Sequence, residues 1–197
     1  MAMKNIKEYI ATLGDEGPAY ANRFEVVINP SQSGRMSGKG LPDKCALFCE
    51  EVQIPGAILS NKELNIGPWT FFRNTKLGFL GNEINFTFMT TNEWQLRGEF
   101  EGWISDCVNA NSQEVAYLDD ISCTVDIFCL NPQDEVTKKW TLYEAMPKVL
   151  NLIPLSHGTV APIRNTLIMS AAYWESSDAG GIAGLKSIAS GGGSYNN

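Results

Sequence analysis

GNEINFTFMTTNEWQLRGEFEGWISDC, residues 81–107, changes its hydrophobic period once, and that change decides the fold class. Ile84, Phe86 and Phe88 alternate with Glu83, Asn85 and Thr87, which is the period-2 signature of a strand with one buried and one wet face. After Thr91 the apolar positions become Leu96, Phe100, Trp103, Ile104 and Cys107, a single stripe of an amphipathic helix. Asn92 is read as the N-cap, with Gln95 three residues on completing a capping box. Burying two large aromatics from one short helix contributes about 1.5–3 kcal/mol each, more than the cap, so the helix is predicted to cover a sheet. Phe86, Phe88, Phe100, Trp103 and, near the other end of the chain, Trp174 are the expected core anchors.

The 197 residues suffice for one well-filled core followed by a tail. A net charge of −7 argues against sequence-independent duplex binding, which needs cations to displace counterions from phosphates. The five cysteines show no C-x-x-C spacing, and Cys45 and Cys49, read as one extended segment, are about 13 Å apart at about 3.3 Å per residue. Reduced, buried thiols are expected, with no metal site. MAMKNIKEYI lacks a secretory apolar core, and no stretch of about 18 apolar residues is present, so neither export by signal peptide nor a membrane anchor is expected.

Along the chain, Ile6, Tyr9, Ile10 and Leu13 share the face of a short helix before a Gly14–Pro18 break. Arg23–Asn29 reads as the first long strand, and SQSGRMSGKGLP, from Ser31, as an exposed loop without the strand-to-helix context of a phosphate cradle. Cys45–Ile54 is the next strand, closed by a Pro55-Gly56 turn; Leu59–Gly67 reads as irregular and polar, and Trp69–Leu80 resumes alternation. Ile121 to Cys129 alternates again, placing Ser122, Thr124 and Asp126 on the wet side. Val136–Leu142 is a further strand ended by Met146-Pro147, and Arg164–Trp174 is the last. The residues beyond Glu175 hold six Gly and five Ser and are expected to be disordered in the free subunit, with only Ile182, Leu185 and Ile188 to dock. These readings give an N-terminal arm (1–20), a β domain (21–175) and a Gly/Ser-rich tail (176–197). The class is mainly β (α+β), a sandwich or barrel-like subunit of six or seven strands with one packed helix.

Catalysis is not expected. His157 is the one histidine, in a Ser-His-Gly loop without an orienting carboxylate or a nucleophile. Glu50-Glu51 and Asp119-Asp120 are neighbours that an extended chain points to opposite faces. The aromatic set Trp69, Phe71, Phe72, Phe86, Phe88, Trp94, Phe100, Trp103, Trp140 and Trp174 lacks interleaved cations, which favours core packing over stacking on single-stranded nucleic acid. No cofactor is implied. A soluble β-barrel binding module, with the aromatics lining a pocket, is the reading from another class.

CEEVQIPGAIL (Cys49–Leu59), NFTFMTTNEWQLRGEFEGWI (Asn85–Ile104) and MSAAYWE (Met169–Glu175), in that order, resemble the tail tube proteins of contractile-tailed bacteriophages, and WTLYEAMP (Trp140–Pro147) is similar to that family's penultimate strand. The resemblance implies hexameric rings whose subunit sheets join into one barrel, stacked into a tube within a sheath. It also implies sheath, baseplate and neck proteins as partners, DNA passing through the lumen without specific binding, and a virion location after assembly in the host cytoplasm. A tube-initiator or terminator ring, or the tube of a phage-derived injection system, shares the architecture. On this reading Glu83, Asn85, Thr87, Ser122, Thr124 and Asp126 face the lumen, and Asn61, Lys62 and Glu63 make ring-to-ring contacts.

Overall fold

The computed structural model describes residues 6, 10, 17–31, 41–80, 83–110, 112–158 and 160–178. Residues Glu83–Met89 form a strand in which Ile84, Phe86 and Phe88 are buried and Glu83 is exposed. It is the fifth of nine described strands: β1 (Phe24–Pro30), β2 (Cys49–Val52), β3 (Gly56–Ile66), β4 (Trp69–Leu80), β5 (Glu83–Met89), β6 (Cys123–Leu130), β7 (Val136–Leu150), β8 (Arg164–Ser170) and β9 (Tyr173–Asp178). Helices α1 (Leu41–Phe48), α2 (Gln95–Cys107) and α3 (Leu118–Ile121) interrupt them. The class is mainly β, as the alternation predicts.

Seven strands make one antiparallel sheet in the order β1-β6-β7-β8-β5-β2, with β9 added to β7; β3 and β4 pair only with each other. Strand β7 is the spine. Its first part pairs with β6 on one side and β9 on the other, and Met146–Leu150 pairs with β8. At the changeover Glu144 takes φ 51 and the β6–β7 register slips, the signature of a bulge that bends the strand and increases its twist. Opposite the bend, Ala171 and Ala172 separate β8 from β9, and the Ala172 N–H donates to the Tyr143 carbonyl over 3.2 Å. The bend brings Val26, Ile28, Val125, Ile127 and Leu142 from one half of the sheet into the same core as Ile84, Phe86, Phe88, Leu167 and Met169 from the other. Helix α2 adds Leu96, Phe100 and Trp103, with the Phe88 and Phe100 rings tilted at 48° and 5.3 Å apart. The end strands β1 and β2 do not pair with each other, so the sheet is curled without closing.

Several local readings are corrected. Asn92 is not the N-cap: the Trp94 N–H closes a turn onto the Thr91 carbonyl, Trp94 takes φ 54, and α2 starts at Gln95 with no side-chain cap. Gln95 hydrogen-bonds Glu93 instead of reaching back to a cap. Cys45 lies in α1, not in a strand, since the Leu-Pro-Asp start carries first-turn helix signals, and only Cys49–Val52 is extended. Pro55-Gly56 joins β2 to β3 without reversing the chain, because both strands belong to one long hairpin with β4 and β5. Ile121 closes α3, and β6 starts at Cys123. Pro147 does not end β7: the strand runs on to Leu150 and Pro147 pairs with Met169 of β8, while β6 pairs only as far as Ala145, so one side of Pro147 is a sheet edge that tolerates a residue without an N–H. The last strand is two, and β9 runs to Asp178, three residues into the segment assigned to the tail. The loop at 32–40, the tail from 179 and, apart from Ile6 and Ile10, the N-terminal helix reading lie outside the described residues.

Candidate assembly surfaces

The wet face of β1, β6, β7 and β9 is built on two cross-strand rows, Val27–Asp126–Thr141–Glu175 and Glu25–Phe128–Lys139–Ser177. Asp126 is its hub. It accepts hydrogen bonds from Thr141 Oγ1 at 2.7 Å and Asn29 Nδ2 at 3.4 Å, and pairs with Lys139 Nζ at 2.9 Å. The Lys139 ammonium also lies 5.2 Å from the centre of the Phe128 ring, so the one lysine in these rows is held on two sides. Next to it the Tyr143 and Tyr173 rings stack at 4.8 Å, and the Tyr143 hydroxyl donates to Glu175 Oε2 at 3.5 Å. Burial, with the Glu175 charge adding to it, raises the Tyr143 phenol above its ordinary range. Thr124 lies on this face, and Ser122, just outside β6, closes α3 by donating its N–H to the Leu118 carbonyl at 2.8 Å.

Glu83, Asn85 and Thr87 are elsewhere. They occupy the outer face of β5, where Glu83 pairs with Lys148 and the rows continue into Ser170, Ile168 and Thr166 of β8. Strands β7 and β8 stand between β5 and β6, and both strands turn their apolar sides into one core, so their polar sides diverge. The six residues read from alternation therefore fall on two surfaces. Alternation along one strand fixes which side is wet but not which way that side points once the sheet bends.

Strands β3 and β4 project as an arm that packs on itself and has no extensive contact with the sheet; at its root the Trp174 indole N–H donates to the Gly56 carbonyl at 3.2 Å. Eleven residues at about 3.3 Å each give it a reach of about 36 Å. Gly67 takes φ 61 at the tip, a conformation suited to the first position of a two-residue hairpin turn. Cross-strand pairs Lys62–Arg73, Leu64–Phe71 and Ile66–Trp69 share one face, while Asn61–Asn74, Glu63–Phe72 and Asn65–Thr70 share the other. The trio Asn61, Lys62 and Glu63 is exposed and divided between the two faces. Trp69, Phe71 and Phe72 are 69%, 50% and 70% exposed, and Trp94 is also exposed, so the core reading of the aromatic set is corrected for these four. Phe86, Phe88, Phe100, Trp103 and Trp174 are buried. The reading of Leu59–Gly67 as irregular is corrected to a strand: β3 mixes Asn, Lys and Glu with Leu and Ile and so shows no clean alternation, while its partner Trp69–Leu80 is extended as expected.

Among the described residues no cluster of three or more His, Cys, Asp and Glu could hold a metal ion, and no helix is long and apolar enough to cross a membrane. His157 sits in an exposed turn of a shallow cleft lined by Ile153–Ser156 and Ala161–Arg164. All five cysteines are free. Burial raises every one of their thiols, Cys49 to about 12 and the more enclosed Cys45 and Cys123 further, which keeps them protonated and unreactive at neutral pH.

Residues 19–175 match the sequence profile of the family described as phage tail tube protein. No curated protein sequence matches the chain. Among solved structures, a chain of the PVC sheath-tube complex, an extracellular contractile injection system in its extended state, is 15% identical and superposes with a TM-score of 0.59, covering 85% of this chain and 97% of that one. A chain of the anti-feeding prophage baseplate is 15% identical with a TM-score of 0.57, covering 82% and 96%. A chain of that prophage's tube-terminating cap is 14% identical with a TM-score of 0.58, covering 82% and 92%. At these identities the likeness is one of fold.

Proposed function

The chain belongs to the phage tail tube protein family, and on that premise we propose that it is the repeating subunit of the inner tube of a contractile tail. Six copies form a ring, rings stack, and the bore conducts the genome without catalysis. The single observation that carries this reading is the family match over residues 19–175, which spans both halves of the bent sheet together with the arm and α2. The fold neighbours, which include chains from a sheath–tube complex, a baseplate and a tube cap, support self-stacking and contact with sheath and baseplate proteins.

Of the two wet surfaces, the one holding Thr124 and Asp126 suits the bore. Its cross-strand rows carry Glu25, Asp126 and Glu175 against a single, sequestered lysine, so a passing polyanion meets carboxylates and no available cation in them. Its margin β9 pairs only with β7, leaving a strand edge that a neighbouring subunit covers in a ring. The β5 surface has Glu83 neutralised by Lys148 and Arg164 by Glu50, with Met89 and Val149 exposed nearby, and suits contact with other proteins. The arm joins one ring to the next. Sedimentation velocity over a concentration series tests the reading: ring-sized and larger species must grow with concentration, and a protein that stays monomeric at the highest soluble concentration contradicts it.

A further inference from the structure

The arm is cationic where the chain is acidic. Between Gly56 and Leu80 it carries Lys62, Arg73 and Lys76 against Glu63 alone, in a chain of net charge −7. Lys62 and Arg73 stand opposite each other on the same face as the apolar pairs Leu64–Phe71 and Ile66–Trp69, so that face reads as charge near the middle and apolar surface toward the tip. A two-stranded hairpin is marginal in water, and one exposing Ile66, Trp69 and Phe71 needs a partner surface.

The same chain offers a complementary one. No Lys or Arg occurs between Arg97 and Lys138. Within that stretch the described residues from Val108 to Asp120 form a small projection, pinned by the Val108–Val115 bridge and by the Asn109 N–H donating to the Glu114 carbonyl at 3.0 Å. Its exposed side chains include the carboxylates Glu114, Asp119 and Asp120 and the apolar Val108, Val115, Tyr117 and Leu118, among the polar Asn109, Ser112 and Gln113; Val115 and Tyr117 are 72% and 83% exposed. Three cations beside an apolar tip match three carboxylates beside an apolar patch.

We propose that the cationic, apolar face of the β3–β4 arm docks on the Glu114–Asp120 projection of a second copy of this chain. This deepens the tube reading and rests on it, since it names which surfaces join copies. The apolar side chains supply the burial, and the charges set orientation and reject the opposite face of the arm, which carries Glu63. Assembly is therefore salt-sensitive, weakening as the Debye length falls from about 10 Å at 0.1 M to about 3 Å at 1 M.

The test compares the full-length wild type with an arm reversal (Lys62→Glu and Arg73→Glu), a projection reversal (Asp119→Lys and Asp120→Lys) and a chain carrying all four changes, by sedimentation at 0.1 M salt. Each reversal alone is expected to raise the concentration for half-assembly by about tenfold or more, and the fourfold chain to return to within about threefold of wild type. Mixing the two single-site reversals provides a second reading, because each supplies the surface the other lacks, and the mixture is expected to associate better than either alone. Reversals that assemble like wild type, or a fourfold chain and a mixture that both stay dissociated, overturn the proposal. A wild type that never assembles contradicts the tube reading itself, which separates the two failures.

Discussion

The indole N–H of Trp103 donates to the backbone carbonyl of Ile121 across 2.8 Å, tying helix α2 to the last residue of α3, two positions before β6 starts. The ring itself is 1% exposed, against a core that both halves of the sheet share. One side chain thus fixes the helix to the bent sheet and sets where β6 enters it.

Trp103→Ala removes both roles and is expected to lower stability by about 3–5 kcal/mol, a large share of a typical domain's roughly 5–15 kcal/mol. Trp103→Phe keeps most of the burial and leaves the Ile121 carbonyl unpaired, a loss of about 1–3 kcal/mol. Urea unfolding ranks the two; an alanine variant within about 1 kcal/mol of wild type would show that α2 is not a core element.

Strand β9 pairs Ser176, Ser177 and Asp178 with Trp140, Lys139 and Lys138, and Ser176 is buried. A chain ending at Asp178 is expected to melt with the full-length protein, whereas one ending at Glu175 melts lower. The Lys138–Asp178 ion pair, both partners over 40% exposed, accounts for at most about 1 kcal/mol of that difference, and the lost ladder for the rest. Equal melting of the two truncations would place the end of the folded unit at Glu175.

The buried thiols make alkaline pH destabilising. Their folded pKa values are raised above the ordinary 9.0, so from about pH 9 upward the unfolded chain loses protons that the folded chain keeps, and stability falls with rising pH. Below that pH their contribution is fully present. The melting temperature is expected to drop between pH 8 and pH 10.5, with a shallower slope in Cys45→Ala, and an identical slope in that variant would assign the pH effect to other groups.

Asp126 serves Asn29, Thr141 and Lys139 together, so Asp126→Ala is expected to cost about 1–3 kcal/mol and Asp126→Asn less. Replacing Asp126 and Glu175 by Lys turns the rows cationic. If that face lines the bore, virions with the doubly substituted tube eject DNA more slowly at low salt, with the delay relieved as salt rises. Unchanged ejection kinetics would move the bore to another surface.

The sequence made the single strands legible where one face is dry. Ile84–Phe86–Phe88 and Val125–Ile127 alternate cleanly because their opposite positions are polar, and Phe100 and Trp103 mark a helix by their spacing. What it hid are the features that depend on a partner strand. Pro147 reads as a terminator until β6 is seen to have stopped at Ala145, and Glu144 carries no glycine to announce its left-handed bend. The division of the wet residues between two surfaces follows from that bend, so it could not be read from strands taken one at a time. The arm's apolar side chains read as core because alternation alone does not separate a strand packed on the subunit's own core from an unsupported hairpin.

A cryo-EM reconstruction of the purified, self-assembled protein decides whether the chain builds a tube. The expected result is a hollow cylinder of stacked six-fold rings in which Thr124, Asp126 and Glu175 face the axis, Glu83 faces away from it, and the β3–β4 arm crosses from one ring to the next. A solid or open aggregate, or a cylinder whose bore is lined by the β5 face, would contradict it.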